Sequence, residues 1–275
     1  MEKNNPHYTW LPPPDDLDLQ AHQVDTWRVS LDASTPFSAS LSTDLLRSLE
    51  SSLSADELQR AARFHFPSDR DRFIAAHGCL RHILARYLHC KPGQLSFSTG
   101  EYGKPALLPP QKIDFNLSHS GGYALIVTAR ERKVGVDVER VRDDMELENI
   151  ADRYFSPGEV SELMTLPPEQ RAAAFFNCWT RKEAYIKAHG LGLSLPLDRF
   201  DVSLDETAVL RATRPDPSEA ARWTLLSLDV DPEFAGALAV ESAVLSGEAL
   251  SKGAALSGEA VSKGKELEFR FWDWN

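Results

Sequence analysis

WTRKEAYIKAHGLGLS, residues 179–194, closes a long helical pattern that opens at Glu169 and stops at Gly190. On a helix advancing about 100° per residue, with Phe175 as origin, Ile186 falls at about 20°, Trp179 at about 40°, Ala172 at about 60° and Phe176 at about 100°. These residues make one apolar stripe facing a core. Glu183 falls at about 80°, inside that stripe. A carboxylate placed there needs a partner, because burying an unpaired charge is costly. One answer is local: Lys187 stands one turn on, and Arg181 is nearby. The other is a cation shared with acidic groups elsewhere in the fold.

The helix has a counterpart earlier in the chain. Ser156 and Glu159 form a capping-box pattern ahead of it, and Ser54 and Glu57 form the same pattern 102 residues before. At that offset FIAAHGCLRHILA, starting at Phe73, overlies FFNCWTRKEAYIK, starting at Phe175, without a gap. A strand-like run precedes each, WRVSLD (27–32) and VGVDVE (134–139). The pattern predicts an α+β chain of two similar half-domains related by a pseudo-two-fold, with a cleft between them. The first spans 1–131 and begins with an extended, proline-rich arm; the second spans 132–275. EYGKPALLPP (101–110) reads as loop, and IDFNLSHSGGYALIVTA (113–129) as two strands around a turn. In the tail, LSGEALSKG (245–253) and LSGEAVSKG (256–264) are near-copies, read as a tolerated insertion between adjacent strands.

Composition narrows the class. The 275 residues are 42% hydrophobic and 26% charged, ordinary for a globular protein. A net charge of −11 disfavours nucleic acid as a partner. Three scattered cysteines, Cys79, Cys90 and Cys178, form neither a metal-binding pair nor a disulfide framework and suit a reducing cytoplasm. No apolar run is long enough for a membrane span, so no membrane partner is expected.

Three further stretches carry chemistry. In VGVDVE, alternation puts the valines on one face and Gly135, Asp137 and Glu139 on the other. Two carboxylates on one face are either a solvated face paired with Arg140 or Arg142, or ligands for a hard cation such as Mg²⁺. FNLSHSGG (115–122) offers Ser118, His119 and a flexible turn, either a plain turn or a phosphate cradle. Gly103-Lys104-Pro105 and the arginines at 60, 63, 70 and 72 say little alone.

Taken together, their order resembles that of the 4′-phosphopantetheinyl transferases of the surfactin-synthetase type. The signatures stand here as Gly135-Val136-Asp137-Val138-Glu139, as Trp179 to Lys187, and as Gly103-Lys104-Pro105 followed by Asn116 to Ser120. The resemblance covers about residues 24–240 and implies that family's fold of two similar halves, with the active site between them. It implies coenzyme A as co-substrate, an apo acyl or peptidyl carrier protein as acceptor, and a monomer. It further implies Mg²⁺, or Mn²⁺, on Asp137, Glu139 and Glu183, with Lys187 on phosphate. Ser118, His119 and Arg72 would hold the pyrophosphate and 3′-phosphate, and Gly103, Lys104 and Pro105 would line the adenine pocket. Glu57 stands where some relatives carry a basic residue, so Arg60 is transferred only weakly. The carrier serine would attack the β-phosphorus, adenosine 3′,5′-bisphosphate would leave, and either Glu183 or a metal-bound water would take the proton. A non-catalytic carrier-binding module and a metal-dependent nucleotide hydrolase are the rival readings.

Overall fold

Strand β1 (Gln23–Ser30) is buried on both faces and so needs a neighbour on each edge. In the computed structural model, which describes residues 8–32, 42–143, 146–242 and 267–274, it has both. Antiparallel β5 (Tyr123–Arg130) lies on one side and parallel β11 (Glu268–Trp274) on the other. With β4 (Ile113–Ser120) on the far edge, the order is β11-β1-β5-β4. The second sheet is β6 (Val134–Arg140), β10 (Phe234–Glu241) and β9 (Trp223–Ser227), in the order β6-β10-β9.

The two sheets face each other through an apolar layer that includes Leu125, Val127, Val134, Val136, Val138 and Leu238, all fully buried. The opposite face of each sheet is covered by a long helix. α3 (Pro67–Tyr87) packs on Trp27, Phe115 and Ile126. α6 (Pro168–His189) packs on Ala235, Ala237 and Ala239. α1 (Thr43–Ser51), α2 (Ala55–Ala61), α4 (Leu147–Tyr154) and α5 (Pro157–Thr165) complete the helical layers. Both capping boxes form, Ser54 with Glu57 and Ser156 with Glu159.

Several expectations need correction. Part of EYGKPALLPP is not loop: β3 (Pro105–Leu108) pairs antiparallel with β2 (Ser96–Thr99). Proline is tolerated as the first residue of such a strand because its missing N–H falls at the end of the ladder. Helix α4 and the hairpin of β7 (Phe200–Val202) and β8 (Leu210–Thr213) were not anticipated. The strands flanking the repeats are not neighbours, since β10 and β11 belong to different sheets. β11 joins β1 because its side chains match that edge. Arg28 pairs with Asp273, Arg270 pairs with buried Asp25, and Trp272 and Trp274 pack around Trp27. The arm follows it there: Leu11 bridges to Trp272, and Leu17 and Leu19 are buried. The repeats at 245–264 and residues 1–7 lie outside the described residues.

Candidate active site

Alternation along β6 sends its valines into the layer between the sheets and turns Gly135, Asp137 and Glu139 toward α6. Gly135 sets how close the helix comes. A Cβ built there would lie 2.2 Å from the Ala184 carbonyl oxygen and 2.3 Å from the Ala188 nitrogen. Only a residue without a side chain lets α6 rest on the strand, opposite the two carboxylates.

The helix itself differs from the expected amphipath. It is buried around most of its circumference, Arg181 and Lys182 included. Its carboxyl-terminal half opens along one strip, where Trp179, Glu183 and Lys187, four residues apart, are half-buried. Glu183 therefore looks into a cleft, and the fully buried positions lie around it.

On β4, Asp114, Asn116, Ser118 and Ser120 share one face, and three of them hold the neighbouring edge of β6. The Val134 N–H donates to Asp114 Oδ2 at 3.1 Å, the Val136 N–H to Asn116 Oδ1 at 3.0 Å, and the Arg140 N–H to Ser120 Oγ at 3.2 Å. Ser118 is turned to another use: its hydroxyl donates to Asp137 Oδ1 at 2.7 Å. Lys187 Nζ donates to the same oxygen at 2.6 Å and to Ser118 Oγ at 3.0 Å. The other carboxylate oxygen of Asp137 is buried and, among the described residues, has no hydrogen-bond partner. Ser120 Oγ donates to Glu139 at 2.8 Å.

The electrostatics follow from this crowding. Burial raises the Glu139 carboxyl above the usual range, and the Asp137 charge raises it further. Burial and then Asp137 raise Glu183 as well, with Lys187 opposing. Burial, with His77 and Lys187 nearby, lowers His119 and favours its neutral form. Among the described residues, no three His, Cys, Asp or Glu side chains already converge as a metal cage. The unpartnered Asp137 oxygen, beside two carboxylates held above their usual range, nevertheless fits a hard cation.

Two cavities adjoin the cluster. One, of about 320 Å³, is lined by Gly103, Lys104, Pro105, Glu183 and Lys187 among others. The next, of about 360 Å³, shares Gly103, Pro105 and Asn116 and adds Arg60, His77 and His119. A third, of about 500 Å³, opens beyond Glu139 over Trp179, Tyr154 and Phe176, with Arg142 and Arg153 at its wall.

The structure thus brings together Gly103, Lys104, Pro105, Ser118, His119, Asp137, Glu139, Glu183 and Lys187. Arg72 lines neither of the two nucleotide-sized cavities. Its guanidinium makes a two-point pair with Asp32, at 2.9 and 2.8 Å, and reaches Asp69 at 3.3 Å. Arg60 lines the cavity instead. Glu57 is neutralised internally. Burial opposes its ionisation, but His77, 3.7 Å away, and Arg81, which donates to it at 2.8 Å, outweigh that and hold its carboxyl down at about 2. The β4 side chains that hold β6 were missed, although the alternation D-x-N-x-S-x-S was legible.

A partly buried acidic cluster with a lysine, flanked by cavities carrying basic groups, suits an enzyme that acts on a polyanionic substrate. The chain belongs to the 4′-phosphopantetheinyl transferase superfamily. The superfamily's profile matches residues 133–240, and the profile of the 4′-phosphopantetheinyl transferase N-terminal region matches 41–131. Similar proteins include the 4′-phosphopantetheinyl transferase HetI of a Nostoc species, 40% identical over 85% of this chain and 94% of the relative. Sfp of Bacillus subtilis is 31% identical over 66% of this chain and 79% of its own length. AcpT of Escherichia coli is 35% identical over 51% and 69%. The protein transfers 4′-phosphopantetheine from coenzyme A to a serine of an apo carrier protein. Among the described residues, no helix is long and apolar enough to cross a membrane.

Proposed function

We propose that the chain is a transferase of the surfactin-synthetase type, with one active site where β4, β6 and α6 meet. The observation that carries this reading is the buried oxygen of Asp137 that has no hydrogen-bond partner among the described residues, together with the Asp137 charge that raises both Glu139 and Glu183. Asp137, Glu139 and Glu183 would hold Mg²⁺, or Mn²⁺. When bound, the ion would neutralise the pyrophosphate of coenzyme A and make it a better leaving group. The chain's own groups do the rest. Lys187, already between Asp137 and Ser118, contacts a pyrophosphate oxygen, and Ser118 holds Lys187 in place. His119 and Arg60 flank the 3′-phosphate in the second cavity, and Gly103 and Pro105 line the adenine end. The carrier serine then attacks the β-phosphorus, its proton passes to the Glu183 carboxylate, and the bond to adenosine 3′,5′-bisphosphate breaks.

The halves 1–131 and 132–275 are read as related by a pseudo-two-fold. Each has a capping box, a short helix, and a long helix over one face of a sheet. Both walls of the cleft come from one chain, which suits a monomer. Mass spectrometry of an apo carrier protein mixed with this protein, coenzyme A and Mg²⁺ tests the reading. One phosphopantetheine should appear per carrier, chelation should abolish the transfer, and Mg²⁺ should restore it. Full transfer after exhaustive chelation would sink the metal assignment.

A further inference from the structure

The ammonium of Lys104 is saturated. Its Nζ donates to Asp114 Oδ2 at 2.8 Å, to the Val134 carbonyl oxygen at 3.1 Å and to the Ala188 carbonyl oxygen at 3.3 Å. An ammonium has three N–H donors, so none is left for a ligand. The three acceptors belong to β4, to the first residue of β6, and to the last turn of α6. The tie is largely enclosed, with the Lys104 side chain 17% exposed. Its stem also packs at the helix end: a Cβ added to Gly190 would lie 3.2 Å from Lys104 Cδ. Gly190 ends α6 at φ +72°, and Ala188 is one of the last residues whose carbonyl lacks a partner within the helix. A cation is favoured at that end of a helix. Asp114 completes the arrangement, since its Oδ2 also accepts the Val134 N–H at 3.1 Å.

We infer that Lys104 is a positioning residue. Its ammonium clips the carboxyl-terminal turn of α6 onto β4 and β6, and does not touch the nucleotide. Ala188 follows Lys187 directly, and Glu183 lies one turn earlier, so the clip fixes both reacting-centre side chains against Asp137. This rests on the active-site reading above. It divides the Gly103-Lys104-Pro105 motif: the backbone and ring line the pocket, and the charge holds the halves together.

Two measurements test it. The first uses the unaltered protein: brief labelling with an amine-acylating reagent, read by mass spectrometry. Lys104 should stay largely unlabelled with and without coenzyme A. Ready labelling that coenzyme A suppresses would mark a nucleotide ligand and overturn the inference. The second compares Lys104→Met, Asp114→Asn and the double variant. In Lys104→Met, kcat should fall tenfold or more. The KM for coenzyme A and the Kd for adenosine 3′,5′-bisphosphate should each stay within about threefold, the scatter expected when no ligand contact is lost. The double variant should be no worse than Lys104→Met, because both changes break one tie. If Lys104→Met alone is recovered unfolded, the double variant, which strands no charge, carries the same comparison. A tenfold rise in KM and Kd with kcat retained would overturn the inference. The labelling readout needs no turnover, so failure of the clip and failure of the active-site reading are separable.

Discussion

Glu183 faces a cleft in which like charges crowd, so its charge is a cost to the metal-free fold. Glu183→Gln should lower kcat by about a hundredfold or more, the range for losing a general base. The melting temperature of the metal-free protein should be unchanged or higher. A variant that melts lower yet keeps near-normal turnover would show a structural ion pair instead. Glu57 predicts the opposite behaviour. It is paired with Arg81, itself 2% exposed, so Glu57→Gln strands a buried cation and should cost about 3 kcal/mol near neutral pH. The folded carboxyl titrates at about 2 against an ordinary value of 4.5. The pair's stabilisation is therefore full above 4.5 and is lost as pH falls toward 2, so the gap between wild type and variant should close over that window. A gap that is constant from pH 6 to 3 would contradict the pairing. The faces of Asp137 and Glu139 were legible by alternation; helical phase singled out Glu183 but put it in a stripe facing the core, where the structure has it on the half-buried strip. Arg72 was not, because sequence does not show that Asp32 reaches it across the fold.

At the scale of elements, β6 and α6 meet at Gly135 with no room for a side chain. Gly135→Ala puts a methyl within 2.2 Å of backbone, which cannot be relieved by a rotamer change. The strand or helix must shift, at a cost of about 3 kcal/mol. Transfer should fall further than stability does, because the shift separates Asp137 from Glu183. Unfolding by denaturant and kcat on the same preparation check this; full activity in a destabilised variant would contradict it. The long helices, both capping boxes and the paired strands around FNLSHSGG were readable, since each carries a period or a cap. α4 was not: its N-cap residue Glu146 makes no side-chain cap bond. β3 was hidden by its proline and by its short length. The apolar stripe was over-read, because α6 is covered on nearly every side and its least buried strip is the one that carries Glu183 and Lys187.

At the scale of the molecule, β11 crosses back to β1 and ties the C-terminal segment to the first sheet. The sequence pattern gave no sign of this, because strand partners depend on matched side chains far apart in the chain, here Arg28 with Asp273 and Arg270 with Asp25. The strand ends on either side, Glu241 and Glu268, lie near the same turn. Arg132 donates to both the Glu241 and Ala21 carbonyl oxygens, and the Glu268 N–H donates to His22. Deleting residues 246–264 should therefore leave melting temperature and turnover near wild type, which thermal melts and carrier loading would show. Loss of loading by a folded deletion variant would assign the repeats to carrier binding. The two-sheet arrangement builds the proposed site: β4 and β6 meet where the sheets join, which brings Ser118 to Asp137. The most direct test of that junction as the metal and pyrophosphate centre is calorimetric titration of Mg²⁺, with coenzyme A present, into wild type and Asp137→Asn. The account predicts one ion per wild-type molecule and binding at least about a hundredfold weaker in the folded variant, as for loss of a metal ligand. Equal Mg²⁺ affinity in the two proteins would contradict it.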